Sequence, residues 1–349
     1  MMAFSEVQDF LHAEGLSVSS PGARELAREK LALDEGAAEE IFGHGPLARL
    51  LGDSRVSEIL VNGFDEIWVE SSGRLEKIPA SFSSDEALRR WARKILVEKG
   101  RKFDHSAPFA DCTLADGSRV HVAGPPIARK GVCVSIRKFP PLPWSLEALA
   151  ASGSISAVAI DYLRRAVKER RNIFLSGGTG TGKTSLLGAL LGEVPPGERI
   201  LALEDIAEIK VNHPHFLSLE ARPPNQEGEG EISLGRLLKE SLRMRPDRLV
   251  IGECRGAEAL ELLLALNTGH AGSMGTIHAN STRDALQRLE TLGLLAAENL
   301  SEQALKNLIV GGVHLVVQLE RTPLGRKVAS IAEVKGVDGG RILIKEISL

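Results

Sequence analysis

Residues 173–184, IFLSGGTGTGKT, constrain the fold more than any other stretch: a short apolar strand runs straight into a glycine-rich loop. Gly177, Gly182, Lys183 and Thr184 fit the spacing G-x-x-x-x-G-K-[ST] without a gap. Side chains have to vanish there so that successive backbone N–H groups can converge on phosphate oxygens. The helix that follows adds the partial positive charge of its N-terminus. Gly177, Gly178, Thr179, Gly180, Thr181, Gly182, Lys183, Thr184 and Ser185 are therefore the expected phosphate-binding residues. Lys183 is expected to reach the β/γ-phosphates, and the Thr184 hydroxyl to ligate Mg²⁺. The plain alternative is a turn that binds nothing, and the flanking strand and the apolar run 186–191 argue against it.

A chain of 349 residues is long for one compact domain and comfortable for two. Apolar residues make up 43% and aromatics 4%, which points to aliphatic layers of Val, Ile and Leu. A net charge of −3 with no Lys/Arg-rich block gives no electrostatic footprint for nucleic acid or an anionic membrane. Cys112, Cys133 and Cys254 are isolated, with no C-x-x-C pair for a zinc clip or a disulfide framework, and fit a reducing cytoplasm. Residues 1–15 carry acidic groups and no sustained apolar run, unlike a signal peptide. No stretch reaches ~18 uncharged apolar residues, so membrane contact is expected only through partner proteins.

Residues 1–45 read as a helical segment, and 46–139 as a smaller α+β domain. Alternating segments 56–61 and 66–70 flank Asn62-Gly63, a hairpin signal. Ser83-Ser84-Asp85 caps an expected helix continuing to Lys99, Asp116-Gly117 turns a second hairpin, and 132–139 forms a further strand. Pro140, Pro141 and Pro143 mark a linker over 140–146. From 147 to 349 the pattern alternates. Strands are expected at 172–176, 199–203, 215–220, 248–252 and 273–278, with helices at 156–170, 183–191, 234–244, 257–267 and 282–294. Such alternation after a phosphate loop indicates an α/β domain with a parallel sheet between helices. A final hairpin, 327–337 with 341–347, is expected at its edge.

Hydrolysis also needs a metal and a group that orients water. Residues 248–253 form an apolar strand ending in Glu253, and strand ends of an open parallel sheet face one crevice. Glu253 is thus expected to polarise water and to help hold the metal. The preceding position, often Asp in phosphate-loop enzymes, is Gly252 here. Metal-organising work therefore falls to Glu204 or Asp205 at the end of another strand. His270 and His278 bracket a strand rich in Gly and Thr. They are either satisfied core residues or groups that sense the γ-phosphate. Val120 and Val122 share one strand face, and Val132, Val134 and Ile136 another, which leaves Arg119 and Arg137 on polar faces. Those arginines are either solvated charges or arginine fingers acting across a domain or subunit boundary.

Taken in order, GGTGTGKT, LEDIAE, RPPNQEGEGE (residues 222–231), SLRMRPDRLVIGECRG and LNTGHAGSMGTIHAN resemble the boxes of the type II/IV secretion ATPase superfamily. Within it the chain most resembles the CpaF-type ATPase of tight-adherence (Tad/Flp) pilus assembly, over roughly residues 43–320. The Arg-Pro-Pro-Asn box beginning at Arg222 is the most discriminating piece. The resemblance implies a homo-hexameric ring with a PAS-like N-terminal domain on a RecA-like motor domain, with ATP and Mg²⁺ between them. By matching position, Lys183 and Thr184 hold phosphates and Mg²⁺, and Glu253 is the catalytic carboxylate. Glu204, Asp205 and Glu208 match the acidic box, His270 and His278 the His box, and Arg119 and Arg137 the phosphate-contacting arginines. Arg243 and Arg255 match arginines that act across subunits. The implied partner is an integral inner-membrane platform protein, with the motor peripheral to that membrane. The four-Cys zinc module of the type II branch is absent, and the N-terminal segment is shorter than is usual for CpaF-type chains. Alternatives are a type IV secretion traffic ATPase, a nucleic-acid translocase on the same core, and a non-hydrolysing scaffold.

Overall fold

The period-2 alternation of the first part of the chain becomes an antiparallel sheet, and the strand–helix alternation of the rest becomes a mainly parallel one. The computed structural model describes residues 4–71, 74–138, 144–222, 224, 229–297, 299–323 and 325–348. By its internal contacts the chain divides into two units, residues 1–141 and 142–349.

The first unit opens with helices α1 (Phe4–Ala13), α2 (Ala23–Leu31), α3 (Glu35–Phe42) and, after a 3-10 turn at Gly45–Leu47, α4 (Ala48–Gly52). Then come β1 (Val56–Asn62), β2 (Ile67–Ser71), β3 (Arg74–Ile78), α5 (Asp85–Val97), β4 (Phe109–Thr113), β5 (Arg119–Ala123) and β6 (Cys133–Arg137). The six strands lie in the order β3-β2-β1-β6-β5-β4. Ser84 caps α5, its hydroxyl accepting the Ala87 amide at 3.2 Å. The amphipathic helix then buries Leu88, Trp91, Ile95 and Leu96 against Ile59, Val61, Val120, Val122, Val134 and Ile136 of the sheet. Register fixes the other face. Arg119 stands opposite Arg137 on its neighbouring strand, and Arg137 stands opposite Glu58 on the next.

The second unit comprises α6 (Leu146–Ala151), α7 (Ala157–Lys168), β7 (Ile173–Ser176), α8 (Lys183–Leu191), β8 (Ile200–Glu204), β9 (Phe216–Glu220) and α9 (Leu234–Ser241). It continues through β10 (Arg248–Cys254), α10 (Glu258–Leu266), β11 (Met274–Ile277), α11 (Thr282–Ala296), α12 (Glu302–Gly312), β12 (Leu315–Thr322), β13 (Gly325–Asp338) and β14 (Arg341–Ile347). The eight strands lie in the order β14-β13-β12-β7-β11-β10-β8-β9. Strands β12 to β9 along that order run parallel, whereas β13 and β14 are added antiparallel. Successive residues of the central strands feed opposite layers. Ile173, Leu175, Val250 and Val317 pack with α6, α7 and α8, while Phe174, Leu249, Ile251 and Val316 pack with α9 to α12. That two-sided burial is why these strands read as unbroken apolar runs.

Each of the five expected strands is present within one or two residues of its expected bounds. The helix expected over 234–244 tightens into a 3-10 turn at Leu242–Met244. α10 is buried on most sides, but Leu264 is left 42% exposed. Four elements were not expected: β3, α6, α12 and β12. Of these, β12 matters most, because it joins the C-terminal hairpin to β7 and brings it beside the glycine-rich loop. Pro140, Pro141 and Pro143 lie outside the described residues, as do Pro223 and Asn225 of the Arg-Pro-Pro-Asn box, and α6 already begins at Leu146. Among the described residues no helix is long and apolar enough to cross a membrane.

Candidate active site

Strand β7 is buried throughout and delivers the chain into the loop 177–182. Gly177 has φ +154°, and a Cβ there would lie 2.6 Å from the Leu319 carbonyl oxygen and 2.7 Å from Thr181 Oγ1. Only glycine fits. Thr181 Oγ1 donates to the Gly178 carbonyl at 2.9 Å, bracing the loop from within. Gly182, with φ +96°, opens α8, whose first turn holds Lys183, Thr184 and Ser185. Lys183 is buried and lays its Nζ across the loop, donating to the carbonyls of Gly177 (2.8 Å) and Gly178 (2.9 Å). Gly178 and Thr179 form the exposed rim, with Gly180 partly covered beside them. A side-chain-free cradle with a buried cation across it fits a polyphosphate.

Because β7, β11 and β10 are parallel neighbours, their carboxyl ends meet at one edge, which places Glu253 and His278 beside the loop. Arg255 grips Glu253 with two bonds, Nε to Oε1 at 2.5 Å and Nη2 to Oε2 at 2.9 Å. His278 Nε2 lies 3.2 Å from the same Oε1. Burial pushes the Glu253 carboxyl up, but Arg255, His278 and Lys183 together outweigh it and hold the group below the usual carboxylate range. Burial and the Lys183 charge hold His278 below the usual imidazole value against the pull of Glu253. Its bond to Glu253, helped by the charges of Asp205 and Glu208, raises Arg255. Lys183, Glu253, Arg255, His278 and Asp205 therefore form one electrostatic cluster.

Glu204 sits against this cluster in a different state. It is 3% exposed, and Oε1 accepts the amides of Glu208 (2.8 Å) and Ile209 (2.9 Å), while Oε2 accepts the Ser218 hydroxyl at 3.2 Å. Burial raises its pKa against those three hydrogen bonds. Its side chain also accounts for the glycine before Glu253: a Cβ on Gly252 would lie 2.9 Å from Glu204 Cγ. Glu204 thus fills the space in which an Asp at 252 would stand, and it anchors the turn that follows β8.

Two expected residues are not brought to this edge. His270 precedes β11 and lies at the opposite end of that strand from His278, with its Nδ1 3.2 Å from the Ala265 carbonyl oxygen. Arg243 is exposed on the 3-10 turn that precedes β10. The seven residues of β10, at about 3.3 Å each, separate its two ends by roughly 20 Å. Arg119 and Arg137 belong to the first unit, where they share the polar sheet face. Residues not singled out in the sequence also line the loop. Arg326 Nε on β13 donates to the Gly180 carbonyl at 2.9 Å, and Arg321 Nη1 would lie 4.0 Å from a Cβ on Gly180. The available signal is Pro323 and Gly325 between two polar runs, and Arg321 and Arg326 face one another across the paired strands.

Known proteins are similar to this chain in sequence and in fold. Residues 40–332 match the family model described as type II/IV secretion system protein. A "Putative conjugal transfer protein" of Mycobacterium tuberculosis (strain H37Rv) is 39% identical over 307 residues, covering 86% of this chain and 87% of that protein. The conjugal transfer protein TrbB of Rhizobium radiobacter is 32% identical over 290 residues, covering 82% of this chain and 86% of that protein. In fold, the chain is similar to the ATPase DotB of Legionella pneumophila, with a TM-score of 0.60 at 19% identity, over 80% of this chain and 77% of that one. The α/β architecture is accordingly a RecA-like P-loop domain with a smaller, PAS-like α+β N-terminal domain. With a family model spanning most of its length around that loop, the chain belongs to the type II/IV secretion system protein family.

Proposed function

We propose that this protein is an ATP-hydrolysing motor of a type IV secretion or pilus machine. The observation that carries the reading is the cluster of Lys183, Glu253 and His278 at the edge where the glycine-rich loop opens. The loop amides and Lys183 would hold the phosphates of ATP, with the Thr184 hydroxyl and Glu253 toward Mg²⁺. A bound Mg²⁺ would neutralise charge that develops on the transferred phosphoryl group. Glu253 is held ionised beside the loop and orients water, and His278, kept neutral, can accept or donate a hydrogen bond without adding charge. Glu204 has both carboxylate oxygens engaged, so it serves the site by fixing the turn carrying Asp205 and Glu208. Arg119 and Arg137 are two adjacent cations suited to phosphate.

Such a motor works as a homo-hexamer, with Arg243 and His270 available to neighbouring subunits, and pushes an integral inner-membrane platform protein from the cytoplasmic side. The relatives named for conjugal transfer support the type IV secretion traffic pathway. The tight-adherence pilus reading rests on the Arg-Pro-Pro-Asn box alone, and adjacent genes for a pilin and two platform proteins would support it. The nucleic-acid translocase reading requires ATP turnover that rises with DNA.

The test is nucleotide binding and phosphate release by the assembled protein. Lys183→Ala should lose binding or turnover. Glu253→Gln should retain ATP while turnover falls on the order of a hundredfold or more. Hydrolysis retained in both variants would reject the site.

A further inference from the structure

The hairpin of β12 and β13 extends past the end of β7 and walls the glycine-rich loop on the flank opposite β11 and β10. Its contact is close, since the Leu319 carbonyl oxygen fills the space where a Gly177 side chain would be. On the face that buries Leu319 and Val328 in the α8 layer, the next cross-strand pair outward is Arg321 opposite Arg326. Both are exposed at the loop mouth. Like charges directly opposite on paired strands repel, and an anion between them removes that cost. Arg326 is held in place by its Nε bond to the Gly180 carbonyl. Among the described residues, its two terminal nitrogens make no other hydrogen bond or ion pair.

We infer that Arg321 and Arg326 form a same-subunit clamp on the α/β end of the nucleotide's polyphosphate chain. The inference rests on the proposed nucleotide site and adds a direction to it. Strand order puts Glu253 and His278 on one flank of the loop, where the terminal phosphate reacts, and the arginine pair on the other. A chain of phosphates laid across the loop from the first flank therefore ends at the second. A planar guanidinium suits that end, since it can hold the Gly180 carbonyl and a phosphate oxygen together.

Equilibrium binding of fluorescent ADP and ATP to the full-length protein tests this, with wild type, Arg321→Ala, Arg326→Gln and, as a control on the same strand, Lys327→Ala. Glutamine keeps a donor for the Gly180 carbonyl but removes the charge. Arg321→Ala and Arg326→Gln should each weaken ADP and ATP alike, by roughly tenfold. Both should also flatten the salt dependence of binding, while Lys327→Ala binds as wild type does. Undiminished ADP affinity in Arg326→Gln would reduce Arg326 to a brace for the loop and overturn the clamp. Loss confined to ATP would move the contact to the terminal phosphate and overturn the assignment of ends, and equal loss in Lys327→Ala would leave only a general field effect. Wild-type protein that binds neither nucleotide rejects the site itself, an outcome distinct from all of these.

Discussion

Arg255 holds Glu253 by both carboxylate oxygens, at 2.5 and 2.9 Å, from a position only two residues further along the chain. The strand ends at Cys254, and the chain turns so that Arg255 reaches back over the carboxylate. The amides of Arg255 and Gly256 are then fixed on Glu258 Oε1 at 2.5 and 2.7 Å, at the start of α10. The Glu253 carboxylate, proposed to prime water, is therefore set by three consecutive elements: the end of β10, the turn, and the first turn of α10.

This arrangement predicts the acid limb of the pH–rate profile. In the proposed role Glu253 acts only when ionised, so hydrolysis should be lost as pH falls through its depressed pKa. Arg255→Ala removes the leading influence that opposes burial, leaving burial to push the carboxyl up. The acid limb should then move to higher pH. Its midpoint is read separately from the maximal rate, which Arg255 can affect in other ways. A limb that stays in place or moves to lower pH would show that the ion pair does not tune Glu253.

Restoring the Asp that many phosphate-loop enzymes carry before the catalytic Glu should fail here. In Gly252→Asp the new Cβ would stand 2.9 Å from Glu204 Cγ, in a space that Glu204 cannot leave without giving up its three hydrogen bonds. Overpacking of this kind costs about 1–3 kcal/mol, and a second carboxylate beside a buried one adds repulsion. Thermal melting should show the loss, and Glu204→Ala in the same chain should recover part of it. Wild-type stability for Gly252→Asp would refute the packing account of this glycine.

The glycine-rich loop was legible in the sequence because its function demands a fixed spacing within one short segment. Glu253 was legible because a parallel strand that is buried on both faces reads as an apolar run, and its first polar residue marks the sheet edge. The alternation of Val120 and Val122 likewise fixed the outward faces of Arg119 and Arg137. What the sequence hid was pairing between distant segments. Nothing local says that β12 lies next to β7, so the approach of Arg321 and Arg326 to Gly180 could not be read. The two histidines illustrate the same limit. They flank one short strand, yet a strand carries its ends to opposite edges of a sheet, and only His278 meets Glu253. Glu204 ends a strand whose apolar run shows in the sequence, but its partners, the Glu208 and Ile209 amides and Ser218, come from a turn and a neighbouring strand that spacing alone does not bring together.

His278 offers a second titration. Burial and Lys183 hold its imidazole below the ordinary value of about 6.5. It should therefore be neutral near pH 7 and protonate only in more acidic solution. Lys183→Met removes one cation and leaves Glu253 in place, so the His278 pKa should rise. Histidine-labelled protein followed by NMR would report this directly. An unchanged titration in the variant would mean that Lys183 and His278 do not sense one another.

The far end of β10 carries a fully buried charge. Arg248 is fully buried, with Nε and Nη2 on the Glu198 carboxylate at 2.7 and 3.3 Å and Nη1 on the carbonyls of Val167 (2.9 Å) and Gly272 (3.3 Å). One guanidinium thus ties the end of α7, the segment before β8, the start of β10 and the approach to β11. Arg248→Met keeps much of the volume but takes the guanidinium donor from the carbonyls of Val167 and Gly272 and leaves Glu198 with Arg170 alone, at 3.2 Å. Breaking a buried pair from one side costs about 3–5 kcal/mol. Because the Glu198 side chain is 20% exposed and can regain water, the lower end of that range is expected. Urea denaturation of Arg248→Met, Glu198→Gln and the double variant would measure it, with the double variant recovering part of the loss. A cost below about 1 kcal/mol for Arg248→Met would place the pair with ordinary surface bridges. If the loss is large, the edge beside the glycine-rich loop depends on it, because the strand that Arg248 anchors at one end carries Glu253 at the other.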